Sequence, residues 1–327
     1  MNISVATSAD RKYGQHAGVM IFSLLSNLSS DVSADIYILD GGIRRGDKKK
    51  ILSLTKSFKA RIYFVPAGDS SYKGYHLSFF PSRAIYYRLA LGSLIPADVK
   101  KLLYLDSDIL VRKDVSALWN TQLDINIIAG VNDPYVGFYE REYYKAYDLA
   151  KYINSGVLLI DMNAWRREGI GENARKLASG NQYMMPDQDA INNAVQGKVM
   201  MLDPKYNVMP PFFKPEEYGE FTQKYFSQDI VSRLRSEAVI VHFCGTAKPW
   251  HRDMKNPFTK EYWTYLKRSP WRDYEVPKAA YPSRHPSQSI KKYYIEKYVP
   301  YAIRIRYEAL KSFVRGRLGK DSVPKKK

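Results

Sequence analysis

The segment Leu102-Leu103-Tyr104-Leu105 is an unbroken apolar run, closed at once by Asp106-Ser107-Asp108. A strand that reads apolar on every residue is covered on both faces, as happens in the middle of a largely parallel sheet with helices on each side. The surrounding chain fits that demand. Ile3–Thr7, Ile36–Leu39, Arg61–Val65, Ile127–Val131, Val157–Asp161, Val199–Leu202 and Val239–Phe243 read as further strands of the same sheet. Between them lie helical signals: a buried stripe from Val19 to Leu28, a basic helix ending near Ser57, and a helix over Ser82–Leu91 that stops at Gly92. Strands alternating with helices predict an α/β fold, whose ligand crevice opens at the carboxyl ends of the strands.

Charge divides the chain. The formal charge is +18, but residues 251–327 alone carry 20 basic and 7 acidic side chains. The positive field therefore belongs to the C-terminal quarter, not to the body. Four prolines fall in residues 269–287, so the composition predicts a body over 1–268 and a linker and tail over 269–327. In the tail, Ile303, Tyr307, Leu310, Val314 and Leu318 recur at helical spacing, flanked by Arg304, Arg306, Lys311, Arg315 and Arg317. That pattern suits a helix lying in an anionic membrane interface; a helix packed on the body with a solvated basic face is the alternative. The single cysteine, Cys244, excludes a disulfide scaffold and leans towards a reducing compartment. No signal-peptide pattern and no apolar window long enough to span a bilayer is visible, so the expected place is cytoplasmic, peripheral on the inner face of a membrane.

Four segments carry possible chemistry. Asp106-Ser107-Asp108 delivers two carboxylates to a strand end, a natural Mg²⁺ or Mn²⁺ site, or else a polar turn. His242 closes an apolar strand and precedes Gly245 and Lys248; a strand-end histidine can be structural, but the glycine admits a phosphate and the lysine supplies its counter-charge. Pro186-Asp187-Gln188-Asp189 is an ordinary helix start, which accounts for the acids but does not call for Gln188. Asn154-Ser155-Gly156 before a strand reads as a plain turn, and Arg88 as a surface cation or a phosphate contact. Gly68–Pro81, rich in Gly, Ser and Tyr, is long enough to be a lid. No Gly-x-Gly-x-x-Gly follows the first strand and no P-loop occurs, which removes the usual dinucleotide and P-loop readings.

Taken in order, Ala6-Thr7 with Asp10 and Tyr13, Tyr87-Arg88-Leu89, Leu103–Asp108, Asn154–Leu159, Asp187-Gln188-Asp189 and His242–His251 resemble glycosyltransferase family 8, the retaining nucleotide-sugar transferases. The bacterial lipooligosaccharide galactosyl- and glucosyltransferases look most similar. The resemblance implies a GT-A fold with a mixed, mostly parallel sheet, a UDP-galactose or UDP-glucose donor, Mn²⁺ (Mg²⁺ as the other candidate), and a glycan or glycolipid acceptor. By motif, Asp106, Asp108 and His242 would hold the metal. Gly245 and Lys248 would meet the diphosphate. Ala6, Thr7, Asp10, Tyr13 and Ser107 would lie on the nucleotide side. Arg88, Asp133 and Asn154 would surround the donor sugar, with Asp187 and Gln188 as the catalytic pair. An amide is a poor nucleophile, so the expected course is front-face substitution, with the acceptor hydroxyl losing its proton to the leaving phosphate. Two rival readings exist: a haloacid-dehalogenase-type phosphotransferase, disfavoured by Leu110 two places after the second aspartate, and a basic binding module, with no nucleic acid expected because the body is nearly balanced in charge.

Overall fold

In the computed structural model the described residues are 1–77, 82–135, 149–213, 226–245, 248–251 and 256–274. Among them are nine strands: β1 (Asn2–Asp10), β2 (Ser33–Gly41), β3 (Ala60–Pro66), β4 (Lys101–Leu105), β5 (Ile109–Val111), β6 (Ile128–Gly130), β7 (Val157–Asp161), β8 (Val199–Met201) and β9 (Ile240–His242). Seven form one sheet in the order β3-β2-β1-β4-β7-β6-β8. The run β3-β2-β1-β4 is parallel, β7 is antiparallel to both β4 and β6, and β6 is parallel to β8. The mostly parallel sheet expected from the apolar runs is therefore present, and it is mixed through β7, as the resemblance implies.

Alternation explains why β4 is wholly apolar. Leu103 and Leu105 join the hydrophobic layer that contains Ile3, Val5 and the helix α1 (Gly14–Asn27), while Leu102 and Tyr104 join the layer on the opposite face with Tyr86, Leu158 and Trp165. Successive side chains point to opposite faces, and both faces are covered.

Two registers bring distant motifs together. Leu105 pairs with Val157, so the antiparallel β7 starts where β4 ends, and Asn154-Ser155-Gly156 arrives beside Asp106. The second sheet is a separate antiparallel pair, β5 with β9, in which Ile109 faces His242. Val239–Phe243 is thus not an eighth strand of the main sheet. It pairs with a three-residue strand directly after Asp108, too short to show a period in the sequence.

Two further expectations change. Arg83–Ala90 is a 3₁₀ helix, started by Ser82 accepting from the Ala84 N–H at 3.1 Å, and an α-turn continues it to Leu94. Gly92 does not end the segment; its bare Cα lies against Trp165. The described part of Gly68–Pro81 is also not a free lid. Tyr72 is buried, its ring stacks 5.8 Å from Tyr86, its carbonyl accepts from Arg83 Nε at 3.1 Å, and Asp69 accepts from the Tyr87 hydroxyl at 2.7 Å. Residues 78–81 lie outside the described residues.

The body continues past 268. After the helix Thr259–Arg268, Trp271 is buried against Gly18 of α1, and its Nε1 donates to Asp47 at 2.8 Å; Tyr274 packs on the same core. Asp47 belongs to α2 (Arg45–Ser53), the basic helix expected there. The remaining linker and the amphipathic tail, residues 275–327, fall outside the described residues. Among the described residues no helix is long and apolar enough to cross a membrane.

Candidate active site

The carboxyl edge of β4 gathers six separated segments. Asp106, Asp108 and His242 each offer one ligand atom, all within 4.8 Å of one another. His242 Nε2 lies 3.4 Å from Asp108 Oδ1 and 3.8 Å from Asp106 Oδ2. Gly156 makes this convergence possible: a Cβ there would sit 2.2 Å from His242 Cε1 and 2.8 Å from Asp106 Oδ2. The segment read as a plain turn is therefore the floor of the cluster.

Each carboxylate divides its oxygens. Asp106 Oδ1 accepts from Arg88 Nη2 at 2.6 Å and from the Tyr104 hydroxyl at 3.1 Å, which turns Oδ2 towards His242. Asp108 Oδ2 is taken by the Lys248 ammonium, which also donates to the Phe243 carbonyl at 2.8 Å, leaving Oδ1 towards His242. Burial opposes charge at both Lys248 and Asp108. Their mutual attraction prevails, holding the ammonium above its ordinary range and the carboxyl well below its own. Two carboxylate oxygens and one imidazole nitrogen facing a common point form a donor set suited to a divalent ion, and the imidazole favours Mn²⁺ over Mg²⁺.

Arg88 is the hinge between this cluster and the next. The guanidinium is buried, bonds the Ser155 carbonyl at 2.7 Å and hydroxyl at 3.0 Å, lies over the Tyr104 ring at 4.6 Å, and places Nε 3.1 Å from Asp187 Oδ2. Burial works against its charge, but Asp106 and Asp187 more than offset it and raise its pKa. Arg88 is not the surface cation that its sequence context also allowed.

The third group surrounds Gln188. Its Nε2 donates to Asp133 Oδ2 at 2.9 Å and to the Tyr152 hydroxyl at 3.2 Å, while Oε1 accepts from Asn154 Nδ2 at 3.0 Å and the Ser155 N–H at 3.1 Å. Asn154 Nδ2 also reaches Asp133 Oδ2 at 3.2 Å. Asp187 accepts from Ser155 Oγ at 2.9 Å. Burial pushes the Asp133 and Asp187 carboxyls up, opposed by Gln188 at the first and Arg88 at the second. Pro186 does open a helix, Pro186–Ala194, but Asp187 and Gln188 are buried in its first turn instead of facing water.

The residues expected on the nucleotide side stand apart from this network. Ala6 and Thr7 are fully buried inside β1. Asp10, at the strand end, accepts the N–H groups of Lys12 at 2.7 Å and Tyr13 at 3.0 Å, which shapes the turn into α1. The half-buried Tyr13 ring meets Trp250 edge-on at 5.8 Å. Ser107 is half-buried in the turn between β4 and β5. Gly245 has φ +86°, a conformation that itself asks for glycine. Thr246 and Ala247 lie outside the described residues.

Sequence reasoning passed over Tyr104, Tyr152 and Asn207. Tyr104 belongs to the quoted apolar run and Tyr152 lies two residues before Asn154; their hydroxyls complete the network. Asn207 is fully buried and bonds His242 Nδ1 at 3.1 Å and Asn154 Oδ1 at 3.0 Å. Nothing in Lys205-Tyr206-Asn207-Val208 signals this, because the signal is spatial.

Known proteins agree with the geometry. The family model for glycosyl transferase family 8 matches residues 4–254. General stress protein A of Bacillus subtilis is 30% identical over 277 residues, covering 82% of this chain and 94% of that protein. A lipopolysaccharide 1,2-glucosyltransferase of Escherichia coli is 29% identical, covering 83% of this chain and 79% of that protein. The crystal structure of the galactosyltransferase LgtC with donor and acceptor sugar analogs superposes with a TM-score of 0.69 at 27% identity, covering 84% of this chain and 98% of that one. The fold is GT-A, and the chain belongs to glycosyltransferase family 8.

Proposed function

We propose that this glycosyltransferase moves galactose or glucose from a UDP-sugar to a saccharide hydroxyl with retention of anomeric configuration, assisted by Mn²⁺ held by Asp106, Asp108 and His242. The observation that carries the proposal is the convergence of those three ligand atoms beside the buried Arg88–Asp187–Gln188–Asp133 network. When bound, the ion supplies Lewis-acid stabilisation of the negative charge that grows on the departing diphosphate.

The chain's own groups do the rest. Lys248, fixed by Asp108 and the Phe243 carbonyl, stands ready as a second positive charge for the diphosphate. Arg88 holds the Asp106 and Asp187 side chains at fixed positions in a buried setting. Gln188 Oε1 already accepts two N–H groups, so it is held as a dipole for positive charge developing at the anomeric carbon and is withheld from attack. Asp187 is likewise committed to Arg88 and Ser155. With both side chains engaged, same-face attack by the acceptor hydroxyl, its proton passing to the leaving phosphate oxygen, accounts for retention without a glycosyl-enzyme.

The LPS transferase among the relatives supports a cell-surface glycan or glycolipid as acceptor. The tail's charge supports peripheral attachment to the cytoplasmic face of an anionic membrane. A panel of UDP-hexoses, assayed for Mn²⁺-dependent UDP release with product configuration read by NMR, tests the reading. Gln188→Ala is expected to lower turnover and leave residual activity. No transfer from any UDP-hexose, an inverted product, or a trapped glycosyl-enzyme would overturn it.

A further inference from the structure

The polarity of the buried amide network follows from one backbone group. The Gly156 N–H can only donate, and it points at Asn154 from 3.0 Å, so the Asn154 atom there is the acceptor Oδ1. The Asn207 atom 3.0 Å from that same Oδ1 must then be a donor, Nδ2. Its other atom is therefore Oδ1, an acceptor, and it lies 3.1 Å from His242 Nδ1. An acceptor facing Nδ1 requires a ring proton on Nδ1; in the singly protonated ring this turns the Nε2 lone pair towards Asp106 and Asp108. The Ser155 N–H orients Gln188 by the same logic, since it too can only donate, to Oε1.

The backbone locks Asn207 in place. The Val208 N–H donates to the Ile240 carbonyl at 2.9 Å, and the His242 N–H donates to the Val208 carbonyl at 2.9 Å, so Val208 bridges β9 at Val241. Asn207 is fully buried and cannot swing to water.

Building on the metal-assisted reading above, we infer that Asn207 is a positioning residue that sets the His242 tautomer through its Oδ1 and, through its Nδ2, ties that choice to Asn154 of the donor-sugar pocket. One side chain thus serves two functions. Its acceptor half makes His242 a nitrogen ligand, and its donor half fixes the amide that orients Gln188 and Asp133.

The two halves separate experimentally. Asn207→Leu removes both. Asn207→Asp keeps an acceptor for Nδ1 but has no donor for Asn154. Long-range ¹H–¹⁵N spectra of histidine-labelled protein, recorded where the ring holds a single proton and assigned with His242→Gln, should show the His242 proton on Nδ1 in the wild type and in Asn207→Asp. In Asn207→Leu it should shift at least partly to Nε2. Mn²⁺ affinity in the presence of UDP, measured by electron paramagnetic resonance, should fall about 10–100-fold in Asn207→Leu. It should stay within about threefold of wild type in Asn207→Asp, where kcat falls instead, as loosened second-sphere partners predict. A wild-type proton on Nε2, an unchanged tautomer in folded Asn207→Leu, or equal Mn²⁺ losses in the two variants would overturn the inference. Wild-type protein that binds no Mn²⁺ with UDP would overturn the metal reading, while the tautomer spectra would still decide the role of Asn207.

Discussion

Replacing Gly156 by alanine tests the site without removing any ligand. The added Cβ would lie 2.2 Å from His242 Cε1, 2.8 Å from its Nδ1 and 2.8 Å from Asp106 Oδ2. Ordinary contact begins near 3.4 Å, so the imidazole must retreat by about 1.2 Å. The glycine cannot yield in its place. Its N–H donates to Asn154 Oδ1 at 3.0 Å, its carbonyl accepts from the Asp106 N–H at 2.9 Å, and the next residue is held in the β4–β7 ladder. A displacement of about 1 Å at a catalytic constellation costs on the order of 10²-fold, or about 2.7 kcal/mol of transition-state stabilisation. Overpacking costs a further 1–3 kcal/mol or so of fold stability, a drop of a few degrees in Tm. The assay is kcat/KM for Mn²⁺-dependent UDP release, with a thermal melt to confirm folding. Gly46→Ala is the control, since nothing lies within 4 Å of its Cβ position on α2, and activity there should be unchanged. Gly156→Ala with wild-type kcat/KM would refute the placement of the site.

Arg88→Met should destabilise the fold by about 3–5 kcal/mol in urea titrations, because Asp106 and Asp187 lose their shared counter-charge in a buried setting; a loss below about 1 kcal/mol would contradict that. His16 stacks on Trp250 at 3.5 Å, and burial together with the Lys248 cation pulls its pKa from 6.5 to about 3. The unfolded chain binds the proton first, so this contribution is complete above about pH 6.5 and is lost as the pH falls towards 3. Between about pH 7 and pH 4 the wild type should lose about 3 kcal/mol that His16→Phe does not lose, and parallel stability curves would argue against it. Gly18→Ala would set a Cβ 1.9 Å from the Trp271 ring and should expel residues 269–274, read as earlier tryptic cleavage at Arg268 or Arg272; an unchanged digest would count against the packing described. Deleting residues 285–327 should abolish binding to anionic liposomes while sparing transfer to a soluble acceptor, and retained liposome binding would move the membrane contact elsewhere.

Much of this site is readable from strand ends. An apolar run that stops at Asp106 announces both its depth and the direction of its carboxylates, and His242 does the same at the end of β9. What the sequence lacks is pairing. Period-two alternation does not encode strand direction, so nothing in Val157–Asp161 says that it runs antiparallel to β4 and thereby sets Gly156 beneath His242. Gly156 reads as a turn because its neighbour lies 86 positions away. Asn207 carries no charge and no period. Trp271 sits in a proline-containing stretch that composition assigns to a linker, yet the cleft it fills is made by the absent side chain of Gly18.

The most direct test is a crystal of the protein with Mn²⁺ and UDP, with the ion located by its anomalous signal. A single manganese bonded to Asp106, Asp108 and His242 and to the diphosphate is the expected result. Manganese seated elsewhere, or a diphosphate bound without those three side chains, would contradict the account.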